Sequence, residues 1–247
     1  YELGALLMAS TANDQFNRTL LDFSFPNRTL SNEILLTLGF TVFIAIASQV
    51  SFTPPSWYTN IFSSIGIPID GTPVPITLQT LAVGFTGAML GSRMAIQSLL
   101  LYMLAGLVGL PAFAGSAKSI IDGTYSFGFT GGSIWGEISF FALPSGGYIV
   151  GFILAGYIIG RLAEKGWSEK IIATTSALII GNISIYLIGL PWLYMVLSTN
   201  GINMDLSKTL DFGLWPFIPG DLIKIALVVV TLPSAWKIIS IKHKKEN

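Results

Sequence analysis

The sequence predicts an all-α integral membrane protein, a bundle of six transmembrane helices with long loops on one side. Three observations carry this. First, 52% of the 247 residues are hydrophobic, only 11% are charged, and mean hydropathy is +0.69. A soluble domain is about 25% charged, so this chain lacks the charges to clothe a core and its apolar surface must face lipid. Second, runs approaching the roughly 20 apolar residues that span hydrocarbon recur along the chain. Third, Lys and Arg gather at alternate connections between those runs.

The six spans are expected at about 34–52, 76–91, 93–112, 146–164, 170–197 and 220–240. The second is short; Pro73 and Pro75 precede it, and Gly87 and Gly91 close it. Pro restricts the residue before it to extended backbone, so helix is expected from about Pro75, where a missing N–H costs nothing. Three turn-rich stretches separate the spans, at 53–75, 113–145 and 198–219. The chain thus divides into an N-terminal arm (1–33), a membrane domain (34–240) and a basic tail (241–247). It begins at Tyr1, so its natural start is expected upstream.

Charge sets the orientation, because Lys and Arg near span ends favour the cytoplasm. Arg18 and Arg28, then Arg93, then Arg161, Lys165 and Lys170, then Lys237, Lys242, Lys244 and Lys245 all fall on one side if the spans alternate. The other side holds Lys118 and Lys208. Both termini are therefore expected in the cytoplasm, and the three long loops outside, an arrangement suited to capturing something from outside. The sequons at Asn17 and Asn27 are read as chance, since the arm lies on the cytoplasmic side.

Several function classes drop out. Thirteen basic residues balance thirteen acidic ones, which points to no nucleic-acid partner. No cysteine is present, which removes thiolate metal sites and Cys nucleophiles. The one histidine, His243, lies in the tail, and no phosphate-binding Gly-rich loop ending in Lys-Ser or Lys-Thr occurs. No metal, cofactor or catalytic constellation is expected.

The clearest anomaly is Asp221 with Lys224. Charges inside a span are costly and read by default as a site. At i and i+3 they share one helix face, and Asp221 falls in a first turn, where exposed N–H groups favour an anion. A structural ion pair that caps the helix is the alternative. Thr77, Gln79 and Thr80 place polar groups in the opening turns of the second span, where a buried Gln must find a partner, either a ligand or another helix. Trp192, after Gly189-Leu190-Pro191, stands where Pro bends or stops a helix. It suits an interfacial aromatic belt better than a ligand stack. Gly146 and Gly147 permit close backbone approach, and Tyr148 offers a hydroxyl near the outer face.

Five strings, in order, resemble the BioY family, the biotin-binding S components of energy-coupling factor (ECF) transporters. They are Pro73-Val74-Pro75-Ile76-Thr77-Leu78-Gln79-Thr80, Gly106-Leu107-Val108-Gly109-Leu110-Pro111-Ala112-Phe113-Ala114, Ser145-Gly146-Gly147-Tyr148-Ile149-Val150-Gly151-Phe152, Gly189-Leu190-Pro191-Trp192-Leu193, and Pro216-Phe217-Ile218-Pro219-Gly220-Asp221-Leu222-Ile223-Lys224. The resemblance covers about 34–240. It implies a six-helix S-component bundle in the plasma (inner) membrane, with the plastid envelope as the alternative. It also implies biotin as transported ligand, and a transmembrane coupling subunit with a pair of ABC-type ATPases as partners. Asp221, Lys224, Gln79 and Tyr148 become the substrate-binding candidates, with Thr77, Phe113, Trp192 and Asn182 behind them. Rival readings are an S component for another vitamin, or a membrane enzyme or assembly factor.

The chain departs from the family at Pro144-Ser145, where Pro-Thr is usual, and in extra sequence around 116–140. Its glycines from Gly128 to Gly136, with Phe127, Phe129 and Trp135, would suit a lid. The Ala-x-x-x-Ala docking face expected on the first span is loosened here to Thr41/Ala45 and Ala47/Ser51.

Overall fold

The computed structural model describes residues 19–25, 27–52, 56–64, 72–114 and 140–246. The lid stretch 116–139, Lys118 and the sequon residue Asn17 lie outside them. Apart from one two-residue pairing the fold is helical: α1 (Leu20–Ser24), α2 (Leu30–Gln49), β1 (Ser51–Phe52), α3 (Ser56–Ser64), β2 (Ile76–Thr77), α4 (Gln79–Leu107), α5 (Gly146–Glu164), α6 (Ile171–Thr199), α7 (Leu206–Gly213) and α8 (Ile218–Glu246). Five of these, α2, α4, α5, α6 and α8, are long and apolar enough to cross a membrane.

One of the five is a hairpin. Within α4, Gly91 takes φ 79°, ψ 176°, a left-handed φ that a side chain resists. Beyond it the chain turns back. Gln79 and Tyr102 would stand about 35 Å apart on a straight helix, yet the Gln79 amide donates to the Tyr102 hydroxyl. Gly87 from the first half and Ala95 and Leu99 from the second all meet α5 at Gly156. The second half starts with its first N–H capped from outside: Ser92 N–H and Oγ–H both donate to Glu164 Oε1, each at 2.7 Å. Gly160 is required here, because a Cβ on it would strike the backbone of Gly91 and Ser92.

The bundle has two ends. Gly91, Glu164 and the basic residues Lys165 and Lys170 mark one, called here the basic end; the turn-rich stretches mark the loop end. At the loop end, α2 runs into β1, which pairs antiparallel with β2, Ser51 opposite Thr77 and Phe52 opposite Ile76. This ribbon corrects the expectation of helix from Pro75. Val50 C=O accepts from Leu78 N–H, so the ladder claims this backbone and helix begins only at Gln79. Thr77 Oγ accepts from the Gln79 N–H at 3.2 Å, a side-chain cap for one orphan donor.

A second expectation needs correction at Pro191, where α6 neither stops nor departs from helix but continues to Thr199. Packing around the proline holds the helix: a Cβ at Gly189 would meet the Tyr148 ring, Trp192 lies against Gly146 and Gly147, and Trp192 Nε1 donates to Leu143 C=O at 2.9 Å.

Buried apolar side chains form one large cluster toward the loop end and another toward the basic end. The arm is not separate from the second. Thr19 and Asp22 make a reciprocal capping box, Arg28 pairs with Asp22, and Leu20 joins Ala88, Ile159, Leu178, Val228 and Trp236. The boundary drawn at 33/34 falls inside α2.

Candidate functional site

The interior at the loop end is shaped by how closely α5 and α6 approach. A Cβ on Gly147 would strike Trp192, and one on Gly151 would strike the Ile185 backbone. This contact brings Tyr148 and Tyr186 ring to ring, edge-on, with centroids 6.2 Å apart. The Tyr148 hydroxyl donates to Gly213 C=O at 2.9 Å, tying α5 to α7. Phe217 lies 6.2 Å from Tyr148. Together with Phe152 and Ile185 these rings wall a cavity whose space, its open side included, is about 530 Å³.

Polar groups converge on that cavity from three helices. Asp221 and Lys224 both line it, although they are only 5% and 6% exposed. Lys224 Nζ donates to Asp221 Oδ1 at 3.1 Å and to Thr80 Oγ1 at 3.0 Å. Thr80 Oγ–H donates on to Asp221 Oδ1 at 3.1 Å, and the Tyr186 hydroxyl donates to Asp221 Oδ2. The cluster is net neutral, which is how a buried ion pair becomes tolerable. It is not saturated. An ammonium has three donors and a carboxylate about four acceptor positions, so among the described residues Lys224 keeps one N–H and Asp221 Oδ2 keeps a lone pair.

Thr77 and Gln79 also line the cavity. Thr77 Oγ–H donates to Gln79 Oε1 at 2.8 Å, and the Gln79 amide bonds Tyr102. Gln79 is therefore held at both ends of its amide, with one N–H left over among the described residues.

Five sequence candidates thus share one cavity: Asp221, Lys224, Gln79, Tyr148 and Thr77. Three do not line it. Phe113 packs on Tyr102 and Phe140, at 5.7 and 5.9 Å, and supports the wall from behind. Trp192 is bound to Leu143 and stacks with Phe141. Asn182 lies on a lipid-facing groove between α6 and α8; its amide donates to Leu178 C=O at 3.0 Å. Two cavity residues were not among the binding candidates. Thr80 was read as a polar group at the head of the second span, beside Thr77 and Gln79, but not carried further; Tyr186 was overlooked in an apolar run, although a hydroxyl deep within a span was the available signal.

The sequence profile of the BioY family matches residues 16–139 and 128–241. The chain belongs to the BioY family. It is 32% identical over 173 residues to the biotin transporter BioY2 of Lactococcus lactis, covering 69% of this chain and 79% of that one. It is 32% identical over 169 residues to the biotin transporter BioY of Thermotoga maritima, covering 67% and 82%. A crystal structure of the S-component for biotin from an ECF-type ABC transporter superposes with a TM-score of 0.59 over 85% of this chain and 95% of that chain, at 24% identity. The fold of this BioY-family chain is therefore that of a biotin S-component.

Proposed function

We propose that the chain is the high-affinity biotin-binding membrane subunit of a vitamin uptake transporter, with six crossings and both termini cytoplasmic, capturing biotin at the outer face. The observation that carries the reading is the buried Asp221–Lys224–Thr80–Tyr186 network on one wall of an aromatic cavity, in a chain of the BioY family. Family membership makes it a transporter component and not an enzyme. Biotin carries a ureido ring, an apolar thioether ring and a carboxylate tail, and an apolar pocket with a few polar anchors suits such a ligand.

The leftover bonding capacity supports an assignment. A ureido group donates N–H and accepts at C=O in one plane. The free lone pair of Asp221 Oδ2 takes the N–H, and the free N–H of Lys224 serves the carbonyl. Lys224 is already neutralised by Asp221, so it is a poor counter-charge for the tail carboxylate. Tyr148 and Phe217 face the thioether ring, and Gln79 offers its remaining N–H to the ligand.

Release into the cytoplasm needs an energy source, and we assign it to a transmembrane coupling subunit with a pair of ABC-type ATPases. The alternation of basic residues supports the orientation, with the loop end outside.

Mass spectrometry of ligand released from protein purified out of biotin-replete cells tests the substrate. Unmodified biotin at near one equivalent is expected; a different vitamin, or biotin chemically altered, would overturn the reading. Orientation is tested with single cysteines, since the chain has none of its own. An impermeant thiol reagent on intact cells should label Asn200→Cys and spare Lys170→Cys. The reverse pattern sinks the topology.

A further inference from the structure

At the basic end, α2 and the second half of α4 leave a groove open to the membrane. The space between its lining atoms, open side included, is about 820 Å³. One wall is Leu30, Ile34 and Leu38, successive turns of α2, each about half or more exposed; the other includes Leu100 and Leu101. Such walls fit an acyl chain. At the end of the groove nearest Gly91 stand Glu33 and Arg93.

Neither charge has an ionic partner among the described residues. Among the described residues the ion pairs are Arg28–Asp22, Arg161–Glu164 and Lys224–Asp221; Arg93 and Glu33 belong to none. Arg93 stands two residues after Gly91, in the first turn of a helix, where the backbone dipole disfavours a cation. An external anion would relieve it. Glu33 on the facing helix would repel an occupant with net negative charge. The two charges, one of each sign at the head of an apolar groove at the basic end of the bundle, match a zwitterion.

We propose that this groove binds a phospholipid whose headgroup joins a phosphodiester to a primary ammonium, as in phosphatidylethanolamine. Arg93 takes the phosphate through its planar donors. Glu33 takes the ammonium, which donates N–H to the carboxylate oxygens. A quaternary ammonium, with no N–H, loses those hydrogen bonds, and phosphatidylglycerol offers no cation. The site lies at the opposite end of the bundle from Lys224 and is independent of the ligand assigned there.

Native mass spectrometry on the delipidated full chain, titrated with phosphatidylethanolamine, phosphatidylcholine and phosphatidylglycerol of matched chains, tests this. The wild type should retain the ethanolamine lipid about fivefold better than either other, the worth of one ordinary net hydrogen bond at a solvent-accessible site. Glu33→Gln should bring the three lipids within about twofold of one another while keeping retention. Arg93→Gln should weaken all three. Biotin binding measured on the same samples should be unchanged, which separates a lost lipid site from a misfolded protein. Equal retention of the three lipids by the wild type, or an ethanolamine preference that survives Glu33→Gln, would overturn the proposal.

Discussion

On α5, Arg161 and Glu164 stand three residues apart and meet at 2.9 Å; on α8, Asp221 and Lys224 stand three apart and meet at 3.1 Å. Spacing and chemistry are nearly the same, and the surroundings are not. The Arg161 side chain is 55% exposed and the Glu164 side chain 23%, against 6% for Asp221 and 8% for Lys224. Glu164 spends its Oε1 on Ser92, so its work is structural: it starts the second half of α4. Asp221 spends its oxygens on Lys224, Thr80 and Tyr186 around a cavity, and keeps capacity for a ligand. An i,i+3 pair is therefore not a site by virtue of its spacing. Burial raises the cost of leaving either member unpaired, and an adjoining cavity gives the residual bonding capacity something to bind.

The sharpest way to break this comparison is to remove one charge from the buried pair. Lys224→Met leaves the Asp221 carboxylate poorly compensated, at a cost of about 2–5 kcal/mol. Biotin affinity measured by calorimetry in detergent should fall by at least about 30-fold, and the melting temperature should drop with it. Adding Asp221→Asn should recover part of the stability and none of the affinity, since a neutral pair no longer strands a charge. Affinity within threefold of wild type in Lys224→Met would favour a pure capping role.

Tyr186→Phe comes next. It removes one hydrogen bond to a charged group, worth about 1.5–3 kcal/mol, and leaves the ring packing against Tyr148 intact. A loss of about tenfold or more in affinity is expected in wild-type background, shrinking to about twofold when Asp221 is already Asn. Equal losses in both backgrounds would show that Tyr186 acts other than through Asp221.

Smaller effects are expected at the basic end, and they should appear in stability alone. Gly91→Ala forces a side chain into φ 79°, a strain of about 1–2 kcal/mol, and its Cβ would lie 2.9 Å from Glu164 Oε1. Melting should fall while biotin affinity stays within about twofold. A large affinity loss would couple the hairpin to the site and blur the contrast between the two ends.

Arg161→Gln should do least. An exposed pair contributes about 0–1 kcal/mol, and Glu164 keeps both bonds to Ser92 without it. A melting shift larger than that of Gly91→Ala would mean that the rim pair is not structural scaffolding of the ordinary surface kind.

What was legible in the sequence was local or additive along the chain. Membrane residence follows from summed composition. The reversal at Gly91 was readable because Gly91-Ser92-Arg93 divides two apolar runs. Asp221 and Lys224 stood out because a charge within an apolar run needs no neighbour to be anomalous. What failed depended on partners far away in sequence. The residues after Pro75 pair with β1 instead of opening a helix, because Ser51 and Phe52 supply a ladder. Pro191 fails to end α6, which runs on to Thr199, because Trp192 and Gly189 are gripped by α5 and the turn before it.

The sequence by itself determined that this chain lives in a membrane, where its apolar runs fall, which family it resembles and which charged pair is costly. Tertiary structure alone decided which polar side chains share the cavity. Gln79 is set by Tyr102 across the α4 hairpin, and Asp221 by Tyr186 and Thr80 on two other helices. The physical reason is that apolar content and charge are properties of each residue. A hydrogen bond between helices depends on their rotation and separation, and these are fixed by close contacts such as Gly151 on Ile185 and Gly160 on Ser92.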